Sequence, residues 1–457
     1  MKVHGCLKRA LMAAAVGVLA GCSLTPQYQR PSASLPESWA EQTAAVSDAA
    51  PTEWRELFHN AELEQLMAEA LAANHDLAAA ATRIEQAKAT AKMASSRLVP
   101  YASLSVSGSR QREIGGNRTL ASSDDSQLSV SYELDLWGAN RASVQAASAR
   151  VAAREYDLES TKLVLQADVA SYYFQTLALK DRLAIARKNL EAARSLMSLV
   201  QVRYSNGAVS GLDVAQQRTA LLSIEAELPV LQQSLTETQS ALALLLGRAP
   251  QAFSVRTESL ADAIPPSIAP GQPGDLLQRR PDIRAAEAGL VAANADVGVA
   301  RAALYPSMQL SATGLVTDWV TGGSSTLAAL ATSLSQTLFD GGELNGQVQL
   351  ADASRRELVE TYLQTVLTSV KEVNDSLMAV STAERRAELL TETVEQAQLA
   401  LRLATSRYQA GSEDLLTVLE SQSSQLNAED SLVQARLARV NASITLFKAL
   451  GGPWSAG

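Results

Sequence analysis

Few residues in this 457-residue chain could do covalent or redox chemistry. It has two cysteines, Cys6 and Cys22, and three histidines, His4, His59 and His75. That is too few to build a transition-metal cluster or a disulfide framework. No GxSxG, Walker A, HExxH or dinucleotide-binding glycine pattern stands in the strand–turn–helix setting its chemistry requires. The chain therefore reads as a non-enzyme with no cofactor. What stands out instead is a stretch written twice. RYSNGAVSGLDV begins at Arg203 and RYQAGSEDLLTV at Arg407, so Arg-Tyr, Gly and Val recur at an offset of 204. Tyr204 with Gly207, and Tyr408 with Gly411, mark two similar turns. Carboxylates follow both: Asp213 after the first and Glu420 after the second. Each is open to a plain reading, a solvated charge near a helix start favoured by the helix dipole.

The N-terminus has the layout of a targeting segment. Lys2, Lys8 and Arg9 precede an apolar run from Ala10 to Ala20, too short to span a membrane. The run ends in Leu19-Ala20-Gly21-Cys22, which resembles a bacterial lipoprotein box. That resemblance implies cleavage before Cys22 and lipid on its thiol and new amine. Ser23, where an Asp would mean inner-membrane retention, points to the outer membrane. Several acyl chains anchor stably where one does not. The alternative is an ordinary secretory signal with an incidental cysteine. Cleavage would remove three basic residues and no acidic one, taking the net charge from -9 to -12. Such acidity argues against nucleic acid, whose phosphates need a basic face.

Hydrophobic residues make up 47% of the chain but aromatics only 4%, which favours long, closely packed helices. The pattern divides it into a signal peptide (1–21), a Pro- and Ser-rich tether (22–55), a first repeat (56–248), a linker (249–275), a second repeat (276–452) and a tail (453–457). Helical pattern runs from near Glu56 toward Arg97, from about Asn140 to Tyr204, from RRPDIRAAE (279–287) to Tyr305, and from about 343 to Tyr408. A further helix follows each turn. In the long helices Leu183, Ala186, Leu190, Ala193, Met197, Val200 and Tyr204 step by three and four. Ala387, Leu390, Val394, Ala397, Leu401, Ala404 and Tyr408 repeat that seam 204 residues on. Such heptads predict coiled-coil packing, and about 65 residues at 1.5 Å each predict helices of roughly 100 Å. A soluble antiparallel coiled coil would show the same heptads.

Strands are predicted at about 101–111, 127–137, 307–319 and 327–339. Leu128, Val130, Tyr132, Leu134 and Leu136 alternate with Ser129, Ser131, Glu133 and Asp135, and Ala102, Leu104, Val106 and Gly108 alternate with serines. The second pair alternates less cleanly. This suits tilted outer-membrane strands joined by a polar loop, GGNRTLASSDD, though half-buried hairpins of a soluble sheet would alternate similarly. Four strands cannot close a barrel with a lumen and lipid forbids open edges, so membrane strands would have to be pooled from several chains.

The lipobox, the duplicated helix–hairpin–helix plan, YELDLWG (132–138), LFDGG (338–342) and RRPDIRAAE together resemble one family. It is the outer membrane factors of the TolC type, in the OprM-like and NodT-like lipoprotein branch serving resistance–nodulation–division efflux systems. The resemblance implies a mainly α fold with a membrane β-barrel part. It implies a homotrimer whose twelve strands form one barrel in outer-membrane lipid, continuous with a periplasmic α-helical barrel. It also implies a passive duct for drugs, dyes, detergents or solvents, working with a periplasmic membrane-fusion adaptor and an inner-membrane pump. The two turns become hairpin tips ringing the periplasmic entrance. Leu416 and Glu420 match the family's bulky and acidic gate positions, and Asp213 could add a second acidic ring. Glu413 and Thr417 depart from the Arg and Asp of the TolC type proper, which puts an Arg-based lock between hairpins in doubt. Metal ions or secreted proteins as cargo, or a non-channel lipoprotein bridging envelope layers, remain open alternatives.

Overall fold

The computed structural model describes residues 23–39, 58, 60–112, 120–261, 263, 265, 268–320 and 323–452. Cys22, the signal peptide and the tail lie outside the described residues. The helices are α1 (Ala61–Ala73), α2 (His75–Ser95), α3 (Ala139–Ser205), α4 (Gly211–Leu245), α5 (Pro281–Ala302), α6 (Glu343–Gln409) and α7 (Leu415–Ala449), with a single turn at Leu276–Arg279. No described helix is long and apolar enough to cross a membrane. The strands β1 (Tyr101–Arg112), β2 (Leu120–Leu134), β3 (Ser307–Thr317) and β4 (Ser325–Ser335) form one antiparallel sheet in that order. The chain divides into two compact units.

The first unit holds the sheet and the helix ends that flank it, Ala81–Tyr156 and Arg284–Thr365, with the start of the chain up to Ala33. The ladder aligns side chains of one character. Leu104, Leu128, Gly314 and Ala328 share a row, and Ala102, Val130, Ala312 and Leu330 share the next on that face. Leu104, Leu128 and Leu330 on this face are exposed, Leu330 to 88%, while Val130 and Ala312 are half-buried, and on the other face the Ser103 and Ser129 hydroxyls bond at 2.9 Å. β2 starts earlier than its pattern predicts and absorbs the SSDD stretch assigned to the loop. Backbone pairing continues to Arg112 opposite Leu120, and the Ser109 and Ser123 hydroxyls meet at 2.9 Å. The strand ends at Leu134 because Asp135 caps α3 instead, accepting from the Asn140 and Arg141 N–H groups at 3.0 Å. β4 likewise stops at Ser335. Asp340, in LFDGG, accepts from the Gly342 and Leu344 N–H groups at 2.8 Å and starts α6. Alternation gives the strand; the acid that captures the next helix's free N–H groups decides where it stops.

The described part of the stretch read as a tether, residues 23–39, is docked. The Leu24 N–H donates to the Trp137 carbonyl (3.4 Å), Asn294 donates to the Pro26 carbonyl (2.7 Å), and Arg30 makes a bidentate pair with Glu287 at 2.7 and 2.8 Å. A Cβ on Gly298 would lie 2.2 Å from Thr25 Oγ1, so this glycine lets the segment reach the α5 backbone. Burial and the Glu287 carboxylate push the Tyr28 phenol up to about 12. Trp137 donates to the Pro306 carbonyl at 2.8 Å and packs on Tyr305, ring centres 4.8 Å apart, where β2 ends and β3 begins.

The second unit holds the hairpins. Where one helix was predicted from about 56 to 97, Asn74 divides α1 from α2. Its N–H closes α1 on the Ala70 carbonyl, its Oδ1 accepts from the Leu77 N–H (2.9 Å), and its Nδ2 donates to the Leu245 carbonyl (3.0 Å). An Asn side chain competes with the helix ladder in this way. The linker is held down too. Glu62 accepts from the Arg256 and Thr257 N–H groups at 2.7 and 3.0 Å, and Lys180 donates to the Val255 and Thr257 carbonyls. Burial opposes the Glu62 charge, but these bonds outweigh it and hold the carboxyl below its ordinary value.

The ends of α4 and α7 repeat one close approach. Gly247 (φ +67°) lies against the Ala73 carbonyl and Gly451 (φ +92°) against the Arg279 carbonyl. A Cβ would sit 2.5 and 2.7 Å from those oxygens. Gly451→Ala combines left-handed strain with a backbone collision, so it is expected to destabilise this unit by at least about 2 kcal/mol. Gly411→Ala, with φ +78° but open space, is expected to cost about 1 kcal/mol. Unfolding curves of the two variants followed by helical circular dichroism check the ordering.

Candidate functional site at the helical turns

The two repeated turns are built alike. Gly207 (φ +75°) donates to the Tyr204 carbonyl and Ala208 to that of Arg203; Gly411 (φ +78°) donates to the Tyr408 carbonyl and Ser412 to that of Arg407. These left-handed glycines close α3 and α6 by satisfying their last carbonyls. The cap residues that open α4 and α7, Ser210 and Asp414, adopt nearly the same angles, φ -88° ψ 165° and φ -87° ψ 165°.

Asp213 is engaged in its own cap. Ser210 donates to it from N–H and hydroxyl at 2.7 and 2.6 Å, forming a capping box. In the second turn the acid moves to the cap itself, where Asp414 accepts from the Thr417 N–H and hydroxyl at 2.9 Å. The Ser210 hydroxyl and N–H hold Asp213 below the usual carboxylate value, and the Thr417 N–H and hydroxyl do the same for Asp414. Both stay ionised at neutral pH, and Asp414 lies within electrostatic reach of Asp213. Asp213 thus does the cap work the plain reading gave it, and it meets the other turn through Asp414.

Leu416 and Glu420 lie one turn apart on α7. Both are exposed, Leu416 to 49%, while the neighbouring Leu415 and Val418 are buried. The spacing that predicted a shared face is matched by a face turned away from the hairpin core. The two tyrosines differ. Tyr408 is 3% exposed, in a cluster with Val200, Ala404, Leu415 and Val418, whereas Tyr204 is exposed.

Arg203 was not singled out by sequence reasoning. Its guanidinium lies 4.5 Å from the centre of the Tyr408 ring, and Nη2 donates to the Gln409 carbonyl at 3.0 Å. One side chain of the first turn thereby clasps the second. The Tyr408 hydroxyl, buried beside it, has no hydrogen-bond partner among the described residues. The repeated Arg-Tyr pair was the available signal, but it cannot say that Arg203 meets the tyrosine of the other repeat. Further along the hairpins, Asn189, Gln398 and Gln425 donate to the buried Glu429 carboxylate at 3.4, 2.9 and 2.9 Å, and Arg182 pairs with Asp430 at 2.5 Å. This polar layer interrupts the apolar seam and joins α3, α6 and α7. Among the described residues no group of three His, Cys, Asp or Glu could hold a metal.

The family described as outer membrane efflux protein matches residues 66–248 and 273–452, one match on each repeat. The chain belongs to the outer membrane efflux protein family. It is 38% identical over 457 residues to the pyoverdine export outer membrane protein OpmQ of Pseudomonas putida, covering 96% of each chain. It is 32% identical to the toluene efflux pump outer membrane protein TtgF of Pseudomonas putida, covering 95% of each. Its fold matches the outer-membrane channel OprN with a TM-score of 0.85 at 29% identity, covering 94% of this chain and 99% of that one. The duplicated helices and four-stranded sheet are thus those of a TolC-like outer membrane factor, and the chain is an outer-membrane channel component of an efflux system.

Proposed function

We propose that three copies pool their strands into a twelve-stranded barrel and form a passive duct for small organic solutes such as drugs, dyes, detergents or solvents. No reaction is catalysed. A resistance–nodulation–division pump in the inner membrane supplies the energy, and a periplasmic adaptor joins pump to duct. The observation that carries this reading is the open four-stranded sheet, with a largely exposed apolar face whose rows run in register from Leu104 to Ala328 and from Ala102 to Leu330. Lipid accepts such a face but not the open edges of β1 and β4, which further copies would pair. Acylation of Cys22 fits a segment docked from Ser23 onward beside Trp137, whose pairing with Tyr305 suits a membrane interface. A pyoverdine-like cargo is a second reading, favoured by 38% identity to a pyoverdine export protein against 32% to a toluene one.

The gate is assigned to Leu416 and Glu420, with Asp213 as a weaker second acidic ring because its carboxylate is already spent on the cap. Three symmetry-related carboxylates at Glu420 would favour cations. Planar-bilayer recordings are expected to give a small, cation-preferring conductance that rises several-fold in Leu416→Ala/Glu420→Ala. A large conductance that the substitutions leave unchanged would move the gate elsewhere. Verified trimers that never conduct would remove the duct reading.

A further inference from the structure

The sheet changes character toward its turns. On the apolar face, the last row that spans all four strands is Val106, Ser126, Val316 and Thr326. The β3–β4 pair ends with Thr317 opposite Ser325. The β1–β2 pair runs on, residues 108–112 against 120–124, for about 17 Å more. Alternation carries the two faces into this extension. After Leu104 and Val106, the next positions of β1 on the apolar face are Gly108, Arg110 and Arg112, opposite Asp124, Ser122 and Leu120. Among the described residues, the charged positions of the four strands on that face are Arg110, Arg112 and Asp124, all past the four-strand rows. Arg110 is exposed, four residues or about 13 Å beyond Val106. It has no side-chain ion pair among the described residues. Asp124 does not neutralise it. The Asp124 carboxylate lies over Gly108 instead, where a Cβ would sit 3.2 Å from Oδ1.

A lipid-facing strand that passes from Leu104 and Val106 to arginine has crossed from acyl chains to headgroups. The end concerned is the one remote from the helices. α2 and a short turn lead into β1 at Tyr101 and α3 follows the end of β2 at Leu134, whereas the β1–β2 turn follows Arg112. With the helices on the periplasmic side, as the duct reading has them, this end faces outside. There a guanidinium can donate two parallel N–H bonds to one phosphate. We propose that Arg110, with Arg112 one row beyond, binds a phosphate of the glycolipid of the outer leaflet, once per chain around the outer rim; this rests on the pooled barrel above. The lipid is favoured over a free anion because the cation continues an exposed apolar row, so the acyl chains and the phosphate of one molecule meet the same face. A chain of net charge -9 offers free anions no general attraction.

The test uses the delipidated full-length trimer in neutral detergent, titrated with bisphosphorylated lipid A and followed by native mass spectrometry. The wild type is expected to bind one molecule per chain. Arg110→Ser/Arg112→Ser removes the charge-assisted bonds and is expected to bind at least about ten-fold more weakly. Arg110→Lys/Arg112→Lys keeps the charge but loses the planar fork, so it should fall between, and it carries the comparison alone if the serine variant gives no trimer. Asp124→Asn removes a like charge beside the phosphate and is expected to bind about two-fold more tightly. Dephosphorylated lipid A is expected to bind the wild type and the serine variant equally. Equal binding of lipid A itself by wild type and variants overturns the proposal. So does displacement by millimolar sodium phosphate, which would make the site one for a free anion. Weaker binding in Asp124→Asn overturns it too, because the phosphate would then be held through a cation at that carboxylate. Heat-modifiable migration of the wild type reads the barrel without added lipid, so a failure of the barrel and a failure of the site are told apart.

Discussion

Removing the Arg203 side chain is expected to raise the single-channel conductance of the reconstituted trimer several-fold. The clasp has two parts, the guanidinium over the Tyr408 ring at 4.5 Å and the hydrogen bond to the Gln409 carbonyl at 3.0 Å. A cation–π contact at a partly exposed site is worth about 0.5–1 kcal/mol, and a hydrogen bond from a charged donor about 1.5 kcal/mol. Each clasp then holds the two turns together by roughly 2 kcal/mol. If the three copies open in concert, their loss shifts the equilibrium by about 6 kcal/mol, enough to take a two-state population from 1:99 to 99:1. Arg203→Lys keeps the charge but loses the planar stacking surface, so it should conduct between wild type and Arg203→Ala. Tyr408→Phe separates the parts further. It keeps the ring and the apolar cluster while deleting a buried hydroxyl that has no partner among the described residues. Its conductance is expected to stay at or below that of the wild type. Wild-type conductance in Arg203→Ala would show that the clasp takes no part in closing the duct.

That clasp also marks where sequence reading stops. The offset of 204 located both turns, and Gly207 and Gly411 do close them with the same hydrogen bonds. Repetition nevertheless suggested equivalence, and tertiary packing broke it. Tyr408 is buried against the first hairpin while Tyr204 faces out, although one turn earlier the equivalent pair Val200 and Ala404 is buried in both copies. Periodicity found α3 and α6 because seams such as Leu183–Ala186–Leu190 depend on side-chain type alone. It missed the break at Asn74 and the early start of β2 at Leu120, since both turn on where particular backbone groups find partners. The face shared by Leu416 and Glu420 was legible from a spacing of four residues; their part in a gate came only through likeness to a family. The segment after Ser23 has the composition of a tether, and nothing in composition shows that Asn294, Glu287 and Gly298 form a bed for it.

RRPDIRAAE was legible as a signature before its physical reason was, and that reason supplies the second large expectation. Arg280→Ala should destabilise the end of the second repeat by about 3 kcal/mol, because it deletes a buried guanidinium bonded to two carboxylates and a helix-end carbonyl. The Arg280 side chain is 9% exposed. It makes a bidentate pair with Asp282 at 3.0 and 2.7 Å, pairs with Glu372 on α6 at 2.7 Å, and donates to the Ala449 carbonyl, the last residue of α7, at 3.0 Å. Burial works against the charge, but Asp282 and Glu372 outweigh it and hold the guanidinium above its ordinary value. Next door, Gly451 lies on the Arg279 carbonyl, so the motif fixes the end of α7 through its first two arginines. Hydrogen exchange is the direct measurement. The amides of Leu450, Gly451 and Gly452 close this end, and about 3 kcal/mol corresponds to exchange faster by roughly two orders of magnitude. Arg280→Lys can keep one of the contacts and should fall in between. Protection unchanged in Arg280→Ala would mean that apolar packing alone holds α7 there. Loss confined to these amides, with conductance unaltered, would assign the motif to architecture and leave the gate to the turns.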